Sequence, residues 1–179
     1  KLAAGDYKAA MIQLKNAVAK DEKNAEARFE LGKLYFAQLD LPSAEKEFRR
    51  AREAGFPAAT VNPMIARALL GQREYQRVLD ELPAPVDSDP DGATLQALRA
   101  TAELGLKHKE DARRMLQHAL AAAPRNPEVH LALAQLALAD GDPVKAMQDL
   151  GQALRIDPRH RDSLLLKGDL LRTSGKPAE

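Results

Sequence analysis

Four histidines, His108, His118, His130 and His160, are the side chains of this chain best suited to bind a metal or carry a proton. No two of them have the spacing of a metal-ligating helix or loop. The sequence therefore assigns them to surfaces and interhelix contacts. Asp87, Asp89 and Asp91 alternate like the first ligands of a calcium loop. Pro90 interrupts them, and no acidic residue follows at the distance such a loop needs, so they read as solvated turn residues. Asp80-Glu81 reads as an exposed helix edge rather than a general acid/base pair. The chain has no glycine-rich phosphate cradle and no nucleophile elbow. Cysteine is absent, which excludes disulfides, thiolate metal sites and cysteine nucleophiles. The expectation is a non-catalytic protein without cofactor or metal.

Composition narrows the alternatives. The net charge is +1, with Lys and Arg mixed among Asp and Glu. No basic block marks a nucleic-acid footprint. No run of about 18 apolar residues could span a membrane. At 45% hydrophobic and 30% charged residues, the chain is foldable rather than disordered. Aromatics make up only 4%, and Ala and Leu dominate. Such a chain builds helices that pack closely through small side chains.

The elements that would position any working residue follow a 34-residue step. Ala10, Ala44, Val78, Ala112 and Ala146 obey it, as do Leu14, Phe48, Leu82, Leu116 and Leu150. Gly32, Ala66, Ala100, Ala134 and Gly168 repeat it on a second set of segments. A fixed period of this size means stacked units that bury their faces on one another. Each unit reads as two amphipathic helices, A and B. The small residues allow close backbone approach, and the larger residue four positions on fills the gap. The units are a half repeat at 1–24, repeats at 25–58, 59–92, 93–126 and 127–160, and a half repeat at 161–179. The sequence predicts one array over 1–179, cut within a unit at both ends and belonging to a longer chain.

Helix boundaries follow from caps and prolines. Helices are expected near Asp6–Lys20, Ala25–Gln38, Pro42–Ala54, Glu74–Leu82, Gly92–Leu104, Lys109–Ala122 and Arg161–Thr173. In the third unit, Asn62 can cap and Pro63 suits a first helical position, which predicts a helix A that starts later than its siblings. Pro83 and Pro85 should shorten the helix B of that unit. Asn126 should cap the fifth helix A, Gly141-Asp142-Pro143 should make its turn, and Asp157-Pro158 should end its helix B. Gly175-Lys176-Pro177 would open a further helix B. Glu45-Lys46-Glu47 followed by Arg49-Arg50 reads as a salt-bridged solvent face.

Leu31-Gly32, Tyr35, Ala44, Phe48 and Ala51, with Leu133-Ala134, Gly141-Asp142, Ala146, Leu150, Ala153 and Pro158, resemble the tetratricopeptide repeat (TPR) family over the whole chain. The usual aromatic at the fourth position is replaced by Arg28, Asn62, Gln96, His130 and Leu164. The resemblance implies an all-α fold, a right-handed α-solenoid of antiparallel helix pairs (the TPR superhelix). A finer resemblance lies in Gly5-Asp6-Tyr7-Lys8-Ala9-Ala10-Met11-Ile12-Gln13-Leu14-Lys15-Asn16-Ala17, Asn24-Ala25-Glu26-Ala27-Arg28-Phe29, Ala66-Arg67-Ala68-Leu69-Leu70 and Val78-Leu79-Asp80-Glu81-Leu82. These are similar to repeat-bearing lipoproteins of bacterial PEP-CTERM/exosortase sorting systems, which are linked to exopolysaccharide export. That implies a lipid anchor outside this chain and a periplasmic location, the alternative being cytoplasmic.

The family also implies a working surface. Its ligand-facing positions fall on the A helices, at the second, fifth, ninth, twelfth and thirteenth places of each unit. Here they supply Phe29, Lys33 and Phe36, then Arg67 and Leu70, then Thr101 and Leu104, then Leu131, Gln135 and Leu138, then Leu165 and Asp169. These residues make an apolar ladder with polar rungs, basic at Lys33 and Arg67 and acidic at Asp162 and Asp169. The expected partner is a protein or peptide segment in the concave groove. The carboxylate clamp of chaperone-binding members is missing, because its positions carry Phe29 and Lys33, Pro63 and Arg67, Ala97 and Thr101. Two alternatives stand beside this reading. One is self-association through the cut repeat edges, and the other is support for an enzyme domain elsewhere in the protein.

Overall fold

The computed structural model describes residues 4–85 and 92–173. Asp87, Asp89 and Asp91, and the Gly175-Lys176-Pro177 turn, lie outside the described residues. Among the described residues there are ten helices and no strand. They are α1 (Ala4–Lys20), α2 (Ala25–Ala37), α3 (Leu41–Glu53), α4 (Ala58–Gly71), α5 (Tyr75–Glu81), α6 (Ala93–Gly105), α7 (Lys109–Ala122), α8 (Pro127–Ala139), α9 (Pro143–Ile156) and α10 (Arg161–Thr173). The even-numbered helices are the A type and the odd-numbered the B type. The fold class is all-α, an α-solenoid of helix pairs in which α2 packs on α3, α6 on α7 and α8 on α9. The chain forms two compact units, Lys1–Arg77 and Val78–Glu179. Among the described residues, no helix is long and apolar enough to cross a membrane.

Local chemistry explains the boundaries. Asn24 Oδ1 accepts from Ala27 N at 2.8 Å, and Asn126 Oδ1 from Glu128 N at 2.9 Å. Asp40 and Asp142 start their B helices in the same way, accepting from Ser43 N and Lys145 N. Each satisfies a backbone donor that the first helical turn leaves open. The turns between A and B helices share one device. Leu39, Arg73, Lys107 and Gly141 have φ of 63°, 62°, 68° and 80°, and each lies 34 residues after the last. A left-handed residue just past a helix end lets the next amide reach back and close the turn. Asp40 N, Glu74 N, His108 N and Asp142 N do so, donating to Tyr35 O, Leu69 O, Glu103 O and Ala137 O.

The third helix A departs from expectation. It begins at Ala58, with Pro57 as its N-cap, and carries Pro63 inside. Asn62 does not cap; its side chain is buried and accepts from Arg52 at 3.2 Å. Val61, Pro63 and Ile65 are buried as well, so packing holds this helix through the proline. As the two following prolines predict, α5 is short, spanning seven residues.

Within unit 1 the α2–α3 contact is tight. A Cβ added at Gly32 would lie 2.6 Å from the Phe48 ring, so only glycine lets this ring seat fully. Phe29 stacks on Phe56 with ring centroids 4.2 Å apart and tilts against Phe48 at 5.6 Å. Unit 2 has aliphatic cores. Ala93, Ala97, Ala100, Ala112, Leu116, Ala119, Val129, Ala132 and Leu136 form one, and Leu131, Ala134, Ala137, Ala146 and Leu150 the next.

Candidate functional site: the faces of the A-type helices

The expected ladder residues divide by burial. Phe29 and Leu131 are core residues, 9% and 4% exposed, so the reading of both as groove lining is corrected. Their fifth position in the A helix turns toward the partnering B helix, where Phe29 meets the Phe48 and Phe56 rings. Phe36, Arg67, Leu70, Thr101, Leu104, Gln135 and Leu138 are half-buried, while Lys33, Leu165 and Asp169 are exposed. The ninth and twelfth positions thus form the accessible part of the face, with the fifth beneath it.

Within unit 1, Lys33 Nζ sits 5.7 Å from the Phe29 ring centroid and donates to Glu30 at 2.8 Å. This rung is a solvated cation held over an aromatic ring. Arg67 extends toward Met64 Sδ at 3.9 Å. Within unit 2, Thr101 Oγ1 donates to Gln135 Oε1 at 2.9 Å, joining α6 and α8 across one repeat step. Leu104 packs on the first aliphatic core of unit 2 and Leu138 on the second. Asp169 accepts from Arg172 at 2.9 Å on an exposed turn of α10. The structure therefore supplies a firm apolar floor with short, internally bonded polar rungs.

A second set of buried polar residues went unnoticed in the sequence as a functional group. Arg28 is buried and donates to Glu47 Oε2 at 2.9 Å and to Glu22 O at 2.7 Å. Glu45 and Glu47 are buried, which corrects the reading of that run as a solvent face. Glu45 accepts from Gln72 and Arg49 at 2.9 Å and from Arg77 at 2.6 Å. Burial pushes its carboxyl upward, but the bonds from Gln72, Arg49 and Arg77 outweigh this and hold it below its ordinary value. Arg99 is buried and donates through one nitrogen to the carbonyls of Val78, Leu79 and Leu82. Those are the open carbonyls at the end of α5, so Arg99 acts as a cap delivered from α6. Burial lowers its pKa, opposed by Glu103 and Asp80. The signal was present: polar residues stand at the fourth and seventh places of the unit, where apolar ones belong.

The histidines are placed as interhelix and surface groups. His130 Nε2 lies 2.8 Å from Pro124 O, and His160 Nδ1 lies 2.8 Å from Ser163 Oγ. His108 Nδ1 lies 2.9 Å from Glu103 Oε2. With Asp111, these two offer three ligand atoms within 4.8 Å of one another. The Asp111 carboxylate is already paired with Arg114, and the grouping is accounted for by ion pairing.

A profile of the tetratricopeptide repeat matches residues 1–68 and 107–159, more than half of the chain. The chain belongs to the tetratricopeptide repeat family. The unmatched segment contains α5 and α6, where prolines and Arg99 replace the usual packing. Solved structures share the fold. One is a thermophilic TPR protein of Thermus thermophilus, at 19% identity and a TM-score of 0.66, covering 94% of this chain and 92% of that one. Another is pilF of Pseudomonas aeruginosa, at 22% identity and a TM-score of 0.62, covering 96% and 78%. A third is YrrB, described as a TPR protein with an unusual peptide-binding site, at 16% identity and a TM-score of 0.56, covering 91% and 84%. No curated protein sequence matches the chain. TPR proteins are generally non-catalytic scaffolds that bind protein or peptide partners.

Proposed function

We propose that this TPR chain is a non-catalytic scaffold whose A-type helices hold a polypeptide segment, as one array over 1–179. The observation that carries the reading is the face itself. Unit 1 offers half-buried Phe36 and Leu70 with the exposed cation Lys33, and unit 2 offers half-buried Leu104 and Leu138 with the exposed anion Asp169. An extended or helical segment gains area from the apolar side chains and direction from the charges. The experiment is selection of binding peptides from a random library, followed by Lys33→Glu and Asp169→Lys. Both side chains are exposed, so the fold should survive. The expected result is at least a tenfold loss of affinity for charged peptides; unchanged affinity for both variants contradicts the assignment.

The finer setting rests on the sequence runs at 5–17, 24–29, 66–70 and 78–82. On these we place the protein in a bacterial cell envelope, lipid-anchored and periplasmic, serving PEP-CTERM/exosortase sorting and exopolysaccharide export. A lipobox in the same reading frame and a sorting transpeptidase gene nearby are the expected findings. A cytosolic N-terminus would remove this setting and leave the scaffold reading intact.

A further inference from the structure

Glu103, His108 and Asp111 meet where α6 turns into α7, and each departs from its counterparts in the other repeats. Glu103 is buried where the register places Tyr35, Leu69 and Ala137, none of them acidic. His108 stands where the other repeats carry Asp40, Glu74 and Asp142. Asp40 and Asp142 cap their B helices. His108 makes no side-chain cap for α7 and turns its Nδ1 to Glu103 Oε2 at 2.9 Å instead. Asp111 takes the place of Ser43, Arg77 and Lys145. Ion pairing accounts for how the three side chains are held. It does not account for why one turn gives up an uncharged core position and a helix cap to bring them together.

We propose that the α6–α7 turn binds a divalent transition-metal ion, zinc being the best match, through Glu103, His108 and Asp111. One imidazole and two carboxylates suit zinc, cobalt or nickel better than calcium or magnesium, which take oxygen ligands. Ligand atoms about 2.1 Å from a zinc ion stand about 3–3.5 Å from one another. The Nδ1–Oε2 separation already fits, and the ligand atoms of all three residues lie within 4.8 Å of one another. Asp111 has to close by about 1 Å to reach such a geometry. Its partner Arg114 is 75% exposed, so that ion pair is screened and readily exchanged. The ion takes the place of the hydrogen between Nδ1 and Oε2, and that proton moves to Nε2 or to solvent.

The backbone holds the turn ready. His108 N donates to Glu103 O at 2.9 Å, and Lys107 at φ 68° sets the reversal. Glu103 comes from α6 and Asp111 from α7, so the ion clips the two helices together and leaves a fourth place to water. Arg114 and Arg99, the latter coupled electrostatically to Glu103, oppose the cation and make this a weaker site than a closed structural zinc centre. The inference is independent of the peptide face and stands or falls separately from it.

The test is calorimetric titration of the whole chain with zinc chloride, beside His108→Gln, Asp111→Asn and a control, His118→Gln. The three side chains are exposed or half-buried, and circular dichroism checks that the helices remain. The expected result is one saturable site per chain, unchanged by His118→Gln. His108→Gln and Asp111→Asn should each weaken it by at least the roughly 10–100-fold that loss of an outer-shell partner costs. Zinc should also slow amide exchange over 103–111 in the unaltered chain. Absence of saturable binding overturns the proposal, as does binding that His108→Gln or Asp111→Asn leaves unchanged. Equal weakening by His118→Gln would mark adventitious binding to surface histidines, and overturns it too.

Discussion

The α2–α3 and α8–α9 pairs occupy the same register and close in different ways. In α2–α3 an aromatic ring fills a glycine notch, and the helix ends are tied by the buried Arg28–Glu47 pair and the Glu45 network. In α8–α9 the notch residue is Ala134, the filler is Leu150, and the packing is Ala on Leu. At the fourth position α8 carries His130, bonded to a backbone carbonyl instead of to a carboxylate. The family pattern fixes where a small and a large residue must meet. It leaves open whether the surrounding cohesion is ionic or aliphatic. An ionic repeat has more directional contacts and more to lose when one partner is removed.

That contrast sets a scale of effects. Phe48→Ala should cost about 3–5 kcal/mol, because it empties the notch and removes support from Phe29. Leu150→Ala, losing fewer atoms into an aliphatic cluster, should cost nearer the lower end of the roughly 2–5 kcal/mol typical of leucine. Denaturant melts of both variants give the comparison, and equal costs would show that the aromatic cluster adds nothing. Next comes Arg28→Ala, which leaves the buried Glu47 carboxylate without its shorter ion pair, keeping the 3.4 Å bond from Arg50, and should cost about 3 kcal/mol. His130→Ala removes one bond to a carbonyl and should cost about 1 kcal/mol.

Acid should separate the two repeats further. The Glu45 carboxyl titrates below its unfolded value in the folded chain, so its contribution is present above the unfolded value. It is lost as the pH falls through the folded one, below the ordinary glutamate range. Protection of the α3 amides, relative to their intrinsic exchange, should therefore fall as the pH drops below the ordinary glutamate range, and Glu45→Gln should flatten that slope. The smallest effect is at the turns. Leu39 is 70% exposed at φ 63°, so Leu39→Gly relieves strain without losing packing and should stabilise by about 1 kcal/mol. Gly141→Ala, at the same place in its repeat, should destabilise by a similar amount, as thermal melts would show.

The helices and their phase were legible because the small and large residues recur at a fixed step, and caps such as Asn126 and Asp142 use local chemistry. The third helix A was misread because Asn62-Pro63 is a start signal locally. Burial of Val61 and Ile65 and the bond from Arg52 override it. Glu45 and Glu47 were misread for a related reason: an acidic run looks solvated until its partners, Gln72, Arg77 and Arg28, arrive from distant helices. The ladder positions were legible as places on the A-type helices, but not which side chains would be buried and which accessible. Phe29 and Leu131 went to the floor because depth depends on the neighbouring helix.

The most direct test of the scaffold reading is the amide-exchange footprint of a library-selected peptide bound to the whole chain. Slowed exchange confined to A-type helices, in particular α6 and α8 around Thr101, Leu104, Gln135 and Leu138, is the predicted result. Protection concentrated on the B-type helices α7 and α9 would contradict it.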